Sequence, residues 1–242
     1  MKVLDLFAGL CGWSKPFADR GHDVFSIDLD ERFDVSLHAD LLTFPIRDLP
    51  WHPDIVLASP PCEGLTVMNI GKNWGRGGKF TATDANWHAP KSDSARMGLR
   101  LVEATREIIA ATDPTYFVIE NPRGKLRKLP VLADLDRRTV WYCHLGRTNA
   151  KPTDLWGGFP PSLVLPPGCH NRRADHPADC CCRDHANAPR GSRTPGSIQG
   201  VKGKDADAAR AEIPEKLATL VCLAAEYDLE HGSPRWQEQL FA

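Results

Sequence analysis

DIVLASPPC, residues 54–62, is an apolar run of strand length that stops on two prolines and a cysteine. A short, continuously apolar stretch with a hard stop is what a strand buried on both faces looks like. Proline has no N–H to give to a sheet, so the prolines end the strand and stiffen the place where Cys62 stands. Working outward, the pattern repeats. KVLDLFAG (2–9) is a strand ending in glycine, and residues 13–20 fit a short helix. DVFSIDLD (23–30) is a second strand with acids at its end, and SLHADLL (36–42) is a short third. TYFVIENP (115–122) is a fifth, again stopped by proline, and TVWYCHL (139–145) a sixth. Residues 94–112 space Met97, Leu101, Ala104, Ile108 and Ala111 along one helical face, with Ser94 or Asp93 as N-cap. EIPEKLATLVCLAAEYDLE (212–230) is a last helix with Pro214 in its first turn. Strands alternating with helices predict an α/β fold, a mostly parallel sheet with helices on both faces. Ligands of such sheets lie outside the carboxyl ends of the strands. Here those ends carry Phe7-Ala8-Gly9, Asp28, Asp40, Pro60-Pro61-Cys62 and Glu120-Asn121.

The 242 residues suffice for one α/β domain with a full core. No apolar run reaches the roughly 18 residues of a membrane span, and MKVLDLF reads as a strand rather than a signal peptide. A cytoplasmic location is therefore expected. Of the eight cysteines, Cys169, Cys180, Cys181 and Cys182 crowd together, which in a reducing compartment reads as metal binding before cross-linking. The net charge of −1 hides an uneven distribution. Residues 1–60 carry five Lys and Arg against ten Asp and Glu, whereas residues 121–151 carry eight against two. A basic face on an otherwise acidic domain suits a nucleic-acid partner, although solvated loops would look similar.

Glycine at positions 9 and 12 lets the backbone turn and approach a ligand. Asp28, ending the second strand, is placed to accept from both hydroxyls of a ribose, and Asp40 from an adenine amino group. The loop lacks the G-x-G-x-x-G spacing that sets a helix against phosphates, so an adenosine-bearing ligand without a pyrophosphate fits best. Cys62 is either a small buried apolar side chain or a nucleophile; Glu120 is either a capping or ion-pairing carboxylate or an acid. Residues 63–93 form a long loop whose Lys72, Arg76, Lys79, Lys91, Trp74 and Trp87 suit a lid over a bound strand.

DLFAG, SIDLD, HADL, SPPC and ENP, in this order and with about 58 residues between Cys62 and Glu120, resemble the motifs of the cytosine-C5 DNA methyltransferases. The likeness covers roughly residues 3–155 and is nearest to compact, phage-encoded members. It implies a Rossmann-like methyltransferase fold using S-adenosylmethionine, and DNA as partner, with the target cytosine flipped out of the stack. The family's cofactor loop falls on Phe7, Ala8, Gly9 and Gly12, its ribose and adenine acids on Asp28 and Asp40, with Leu29, Leu41 and Pro60 beside them. Its nucleophile falls on Cys62 and its base-gripping acid on Glu120, with Asn121 holding the loop. A thiolate adding to carbon 6 of cytosine makes carbon 5 an enamine able to take a methyl group. A carboxyl behind an apolar strand is suited to carrying the proton that ring N3 then needs.

The chain departs from the family pattern at several positions. The two arginines of a late Q-x-R-x-R segment fall on Lys151 and Thr153, so one catalytic cation persists and Arg147 or Arg123 are candidates for replacing the other. Pro122 stands in the usual ENV, Cys11 takes a glycine position, and Ile213-Pro214-Glu215-Lys216-Leu217 echoes the closing motif. Three parts are expected: a catalytic core over 1–156, a small irregular Cys/His-rich insert over 157–200, and a helix over 201–242 returning to the core. In the insert, Cys169, Cys180, Cys182 and His185 could hold a tetrahedral zinc, and Arg172, Arg173, Arg183, Arg190 and Arg193 could meet phosphates. A monomer is the expected state. Two other readings stay open: a catalytically silent DNA-binding relative, or the same mechanism applied to RNA, a free nucleotide or a modified one-carbon donor.

Overall fold

The computed structural model describes residues 1–67, 70–75, 89–147, 151–166 and 212–233. Seven strands form one sheet: β1 (Lys2–Leu6), β2 (Asp23–Asp28), β3 (Leu37–His38), β4 (Ile55–Ala58), β5 (Tyr116–Pro122), β6 (Asp136–Trp141) and β7 (Pro152–Gly158). Their order is β3-β2-β1-β4-β5-β7-β6. Neighbours pair in parallel except where β7 runs antiparallel between β5 and β6. The expectation of a mostly parallel sheet holds; β7, absent from the sequence reading, is the reversed strand.

β4 explains why the opening stretch fixes the architecture. Ile55, Val56, Leu57 and Ala58 have no exposed surface, and alternate residues enter different cores. Ile55 and Leu57 join the cluster built on Trp13, Phe17, Val221 and Cys222, whereas Val56 and Ala58 join the one built on Val102, Ile108 and Trp156. A strand apolar on both sides needs helices on both sides. Four helices are described: α1 (Lys15–Asp19), the short α2 (Ile70–Asn73), α3 (Asp93–Thr112) and α4 (Glu215–Glu230). One face of the sheet is covered by α1 and α4, the other by α3.

Three expectations are corrected by packing. The buried face of α3 is Ala95, Gly98, Val102, Thr105, Ile108, Ile109 and Thr112; of the predicted stripe Ile108 is buried, but Met97 is 45% exposed and the face is centred one residue around. Small residues there let the helix lie close to the sheet. Its N-cap is Ser92, whose Oγ accepts from Ala95 N at 3.1 Å, ahead of both residues expected. The sixth strand stops at Trp141, and Tyr142–Leu145 turn as a 3₁₀-helix.

β7 runs to Gly158, and Phe159 and Leu163 pack in the core, so the core continues beyond residue 156. Gly157 is required there, because a Cβ would come within 2.1 Å of the Phe117 carbonyl oxygen on β5. Ser162 ties this stretch to α4, its N–H and hydroxyl both donating to Asp228 Oδ2 at 2.9 and 3.0 Å. No helix among the described residues is long and apolar enough to cross a membrane.

Candidate functional site

Two adjoining features occupy the carboxyl ends of the strands. The first is a cavity of about 270 Å³ between the ends of β1, β2 and β4. Phe7, Ala8, Gly9, Gly12, Asp28, Leu29, Asp40 and Leu41 line it, together with Ile213 of the closing motif and with Trp13 and Phe33, which the sequence reading did not single out. The loop that shapes it is wound tightly: Phe7, Gly9 and Cys11 all have positive φ, at 58°, 52° and 55°. For Phe7 and Cys11 that is strained backbone, held by the fixings around it. Asp28 accepts from Gly9 N and Asp30 N, each at 2.8 Å, so its carboxylate pins the loop while facing the cavity. Cys11 keeps its place by directing its thiol to Asp34 O at 3.6 Å, and does not line the cavity. Gly12 lies against Ile213, where an added Cβ would meet the Ile213 backbone nitrogen at 3.2 Å. The segment before α4 thereby becomes a wall of the cavity. Beneath the loop Asp5 is buried, and burial pushes its carboxyl up to about 7 against the pull of Ser14.

The second feature gathers the ends of β4, β5 and the β6–β7 edge. Asn121 Nδ2, fully buried, donates to Pro60 O at 2.9 Å and so ties the end of β5 to the turn that carries Cys62. Pro60 thus serves that tie, while its neighbour Pro61 and Ser59 line the cavity. The cavity therefore reaches the residues on either side of the proline turn, one position from Cys62.

Cys62 and Glu120 act on each other electrostatically. The Cys62 thiol is pushed above its ordinary 9.0 first by burial and then by the Glu120 charge, with Lys151 opposing. Glu120 is only 3% exposed. Lys151 Nζ lies 3.9 Å from Glu120 Oε1 and 4.5 Å from the centre of the Tyr142 ring. The Tyr142 hydroxyl donates to that same Oε1 at 3.0 Å. Cys62, Glu120, Asn121 and Lys151 are thus brought into one neighbourhood, and Tyr142 is an addition to it. Its signal in the sequence was position: it follows directly on a strand end, level with the other strand ends, but lay inside a run read as strand.

The proposed stand-ins for the missing arginine are otherwise engaged. Arg147 Nη2 pairs with Glu212 Oε2 at 2.6 Å, and the Arg123 guanidinium lies 5.2 Å over the Trp141 ring. Trp74, expected on a strand-clamping lid, is instead core: it is 1% exposed and donates from Nε1 to Gly64 O at 2.7 Å. Lys125 Nζ sits 5.1 Å from its ring, and burial lowers that ammonium to about 8. The expected irregular loop also contains the short helix α2. Lys72 and Lys91 are exposed, while Arg76, Lys79 and Trp87 lie outside the described residues. So does the zinc set Cys169, Cys180, Cys182 and His185, with the arginines around it. Among the described residues, His22, Cys222 and Glu226 bring potential ligand atoms within 4.8 Å of one another. Both Glu226 oxygens are already held by Arg20 and His22, at 2.7 to 2.9 Å, so this group is a hydrogen-bonded clip.

Over 161 residues the chain is 32% identical to the "Probable DNA (cytosine-5)-methyltransferase" of Frog virus 3 (isolate Goorha), a span covering 64% of this chain and 70% of that protein. The chain belongs to the cytosine-5 DNA methyltransferase family. No family model matches the sequence. Two solved structures share similarity with this family member at low identity. One is a prophage-encoded E. coli protein named as a DNA modification methyltransferase (TM-score 0.41, 14% identity, 65% of this chain and 46% of that one). The other is S. pombe Dnmt2 methyltransferase (TM-score 0.40, 17% identity, 65% of this chain and 50% of that one). The chain spans about half the length of these two structures.

Proposed function

We propose that this chain methylates carbon 5 of cytosine in DNA, with S-adenosylmethionine as donor and Cys62 as covalent nucleophile. The observation that carries the reading is the convergence of Cys62, Glu120 and Lys151 at strand ends beside a cavity walled by Asp28 and Asp40. The donor set fits an adenosine-bearing molecule. Asp28 and Asp40 face a cavity whose lining also includes Phe7, Trp13, Phe33 and Leu41, which suits polar sugar and amino groups on an apolar heterocycle, while the third acid of the lining, Glu212, is paired with Arg147. Asp28 and Asp40 would hold it, and when bound it supplies a methyl group on a sulfonium.

The chain's own residues would do the rest. The Cys62 sulfur forms a bond to carbon 6 of a flipped cytosine, and the electron pair moves to carbon 5. Glu120 in its protonated form donates to ring N3 as negative charge grows there, while its other oxygen accepts from the exocyclic amine. Lys151, beside Glu120, adds a positive charge that favours the thiolate. Once carbon 5 carries the methyl, its proton passes to water, the electron pair of that C–H bond re-forms the 5,6 double bond, and the C6–S bond breaks to return Cys62 as a thiolate.

The test is trapping on duplex DNA containing 5-fluorocytosine, whose fluorine cannot leave as a proton does. A covalent adduct that disappears in Cys62→Ala is the expected result. DNA binding without an adduct would instead make the chain a silent relative, and a preference for RNA or nucleotide competitors would move the substrate. Metal analysis of the same preparation tests the proposed zinc at Cys169, Cys180, Cys182 and His185.

A further inference from the structure

The Tyr142 hydroxyl donates to one of the two carboxyl oxygens of Glu120, Oε1, at 3.0 Å. We infer that Tyr142 is a positioning residue that fixes Glu120 Oε1 as an acceptor and so biases the site toward cytosine over uracil. The inference rests on the methyl-transfer reading above and deepens it.

A carboxylic acid facing a pyrimidine can be read in two ways. Cytosine presents an acceptor at N3 and a donor at its exocyclic amine. It needs the acid's proton on one oxygen and a bare lone pair on the other. Uracil presents the reverse, a donor at N3 and an acceptor at O4, and would be matched by moving the proton to the other oxygen. An unrestrained acid makes that exchange easily. Glu120 is restrained. Its Oε1 receives the Tyr142 hydroxyl at 3.0 Å and has the Lys151 ammonium at 3.9 Å. A proton placed on Oε1 would face a cation and would displace a hydrogen bond in a buried setting. When the acid carries a proton, that proton is therefore kept on Oε2, and Oε1 retains its second lone pair for an amine.

The phenol is suited to this task. Tyr142 is 1% exposed, and burial followed by the Glu120 charge pushes its hydroxyl well above its ordinary 10.0, so it stays a donor throughout the working pH range. Its position is fixed from the β6–β7 edge: Tyr142, just after β6, donates from N to O of Lys151, just before β7, at 3.5 Å, which brings the hydroxyl and the ammonium to one oxygen. The Thr153 hydroxyl is a second neighbour of the phenol. Tyr142 acts only through Glu120.

The experiment compares the initial rates of adduct formation on two duplexes that differ in a single target base, 5-fluorocytosine or 5-fluorouracil, for the unaltered chain and for Tyr142→Phe. The loss of one hydrogen bond to a buried carboxyl corresponds to about a tenfold change in rate. The expected result is an approximately tenfold lower rate on 5-fluorocytosine, a cytosine-to-uracil ratio that narrows by a similar factor, and a KM for DNA within about twofold of the unaltered chain. Both rates are read on one preparation, so an unfolded fraction cancels from the ratio. An unchanged ratio overturns the assignment, as does a loss confined to KM. A Tyr142→Phe chain that does not fold also overturns it, because the hydroxyl would then be structural. No adduct with the unaltered chain overturns the methyl-transfer reading and this inference together; an adduct whose base preference survives Tyr142→Phe overturns this inference alone.

Discussion

At the scale of single residues, the fold makes Cys62 a less acidic thiol than its free form, and Lys151 only partly offsets that. Reactivity is then governed by which charges surround the sulfur, since the thiolate is the nucleophile and its fraction falls about tenfold for every pH unit by which the thiol's pKa climbs. Alkylation of Cys62, followed by peptide mass spectrometry, is expected to climb through pH 9 without levelling in the unaltered chain. Glu120→Gln, which removes the opposing charge, should speed alkylation while abolishing methyl transfer; Lys151→Met should slow it. The opposite order would show that burial alone sets the thiol. The placement of Cys62, Glu120 and Asn121 at strand ends was legible because strand ends in a parallel sheet are few and motif-bearing. Tyr142 was not, because its place just after a strand end was hidden inside a run read as strand, and its contact with Glu120 spans residues remote in the chain. Arg147 and Arg123 misled for the same reason: only the folded chain reveals that Glu212 and Trp141 already hold them.

Among the elements, α3 illustrates how tertiary packing overrides a reading of periodicity. The spacing suggested the stripe Met97, Leu101, Ala104, Ile108 and Ala111, but of these only Ile108 is buried, and the packed face runs through Ala95, Gly98, Val102 and Thr105. Register along the helix follows from its start, and Ser92 decides that start. Its Oγ accepts from Ala95 N at 3.1 Å and donates to Asn73 Oδ1 at 2.8 Å, so one hydroxyl caps α3 and ties it to α2 beyond Cys62. Ser92→Ala is expected to lower stability by about 1 to 2 kcal/mol in urea unfolding. Ser92→Thr, which keeps the hydroxyl, should recover most of it. A loss under about 0.3 kcal/mol would show that packing alone sets the helix start. β7 was missed because PTDLWGG mixes proline, acid and glycine, a poor local strand. Its strand character comes from lying between β5 and β6, where Gly157 admits the approach to Phe117.

For the molecule as a whole, the last helix closes the first. Arg20 and His22, on the turn between α1 and β2, both hold Glu226 of α4, and hydrogen bonding from Arg20 together with His22 keeps that carboxyl below its ordinary 4.5. A carboxyl held low in the folded state stabilises it at every pH above the unfolded value and ceases to do so as pH falls through the folded value. The stability gap between the unaltered chain and Glu226→Gln should therefore be constant near neutrality and shrink below about pH 4.5. Denaturant unfolding at pH 7 and at progressively lower pH measures it, and a gap that grows on acidification would refute the clip. Ile213 and Glu212, at the approach to α4, line the cavity, so the helix held by this clip follows directly on a cavity wall.

The sequence by itself determined the parallel sheet, its helices on both faces, and the residues at its strand ends, because a strand buried on both faces must be continuously apolar and must stop abruptly. Those are local constraints, written into consecutive residues. Only the tertiary structure decided the reversed seventh strand, the face of α3, the engagement of Arg147 and Arg123, and the hydroxyl of Tyr142 on Glu120. Each of these depends on the distance between segments remote in the chain, and such distances are set when the two cores pack, not when any one element forms.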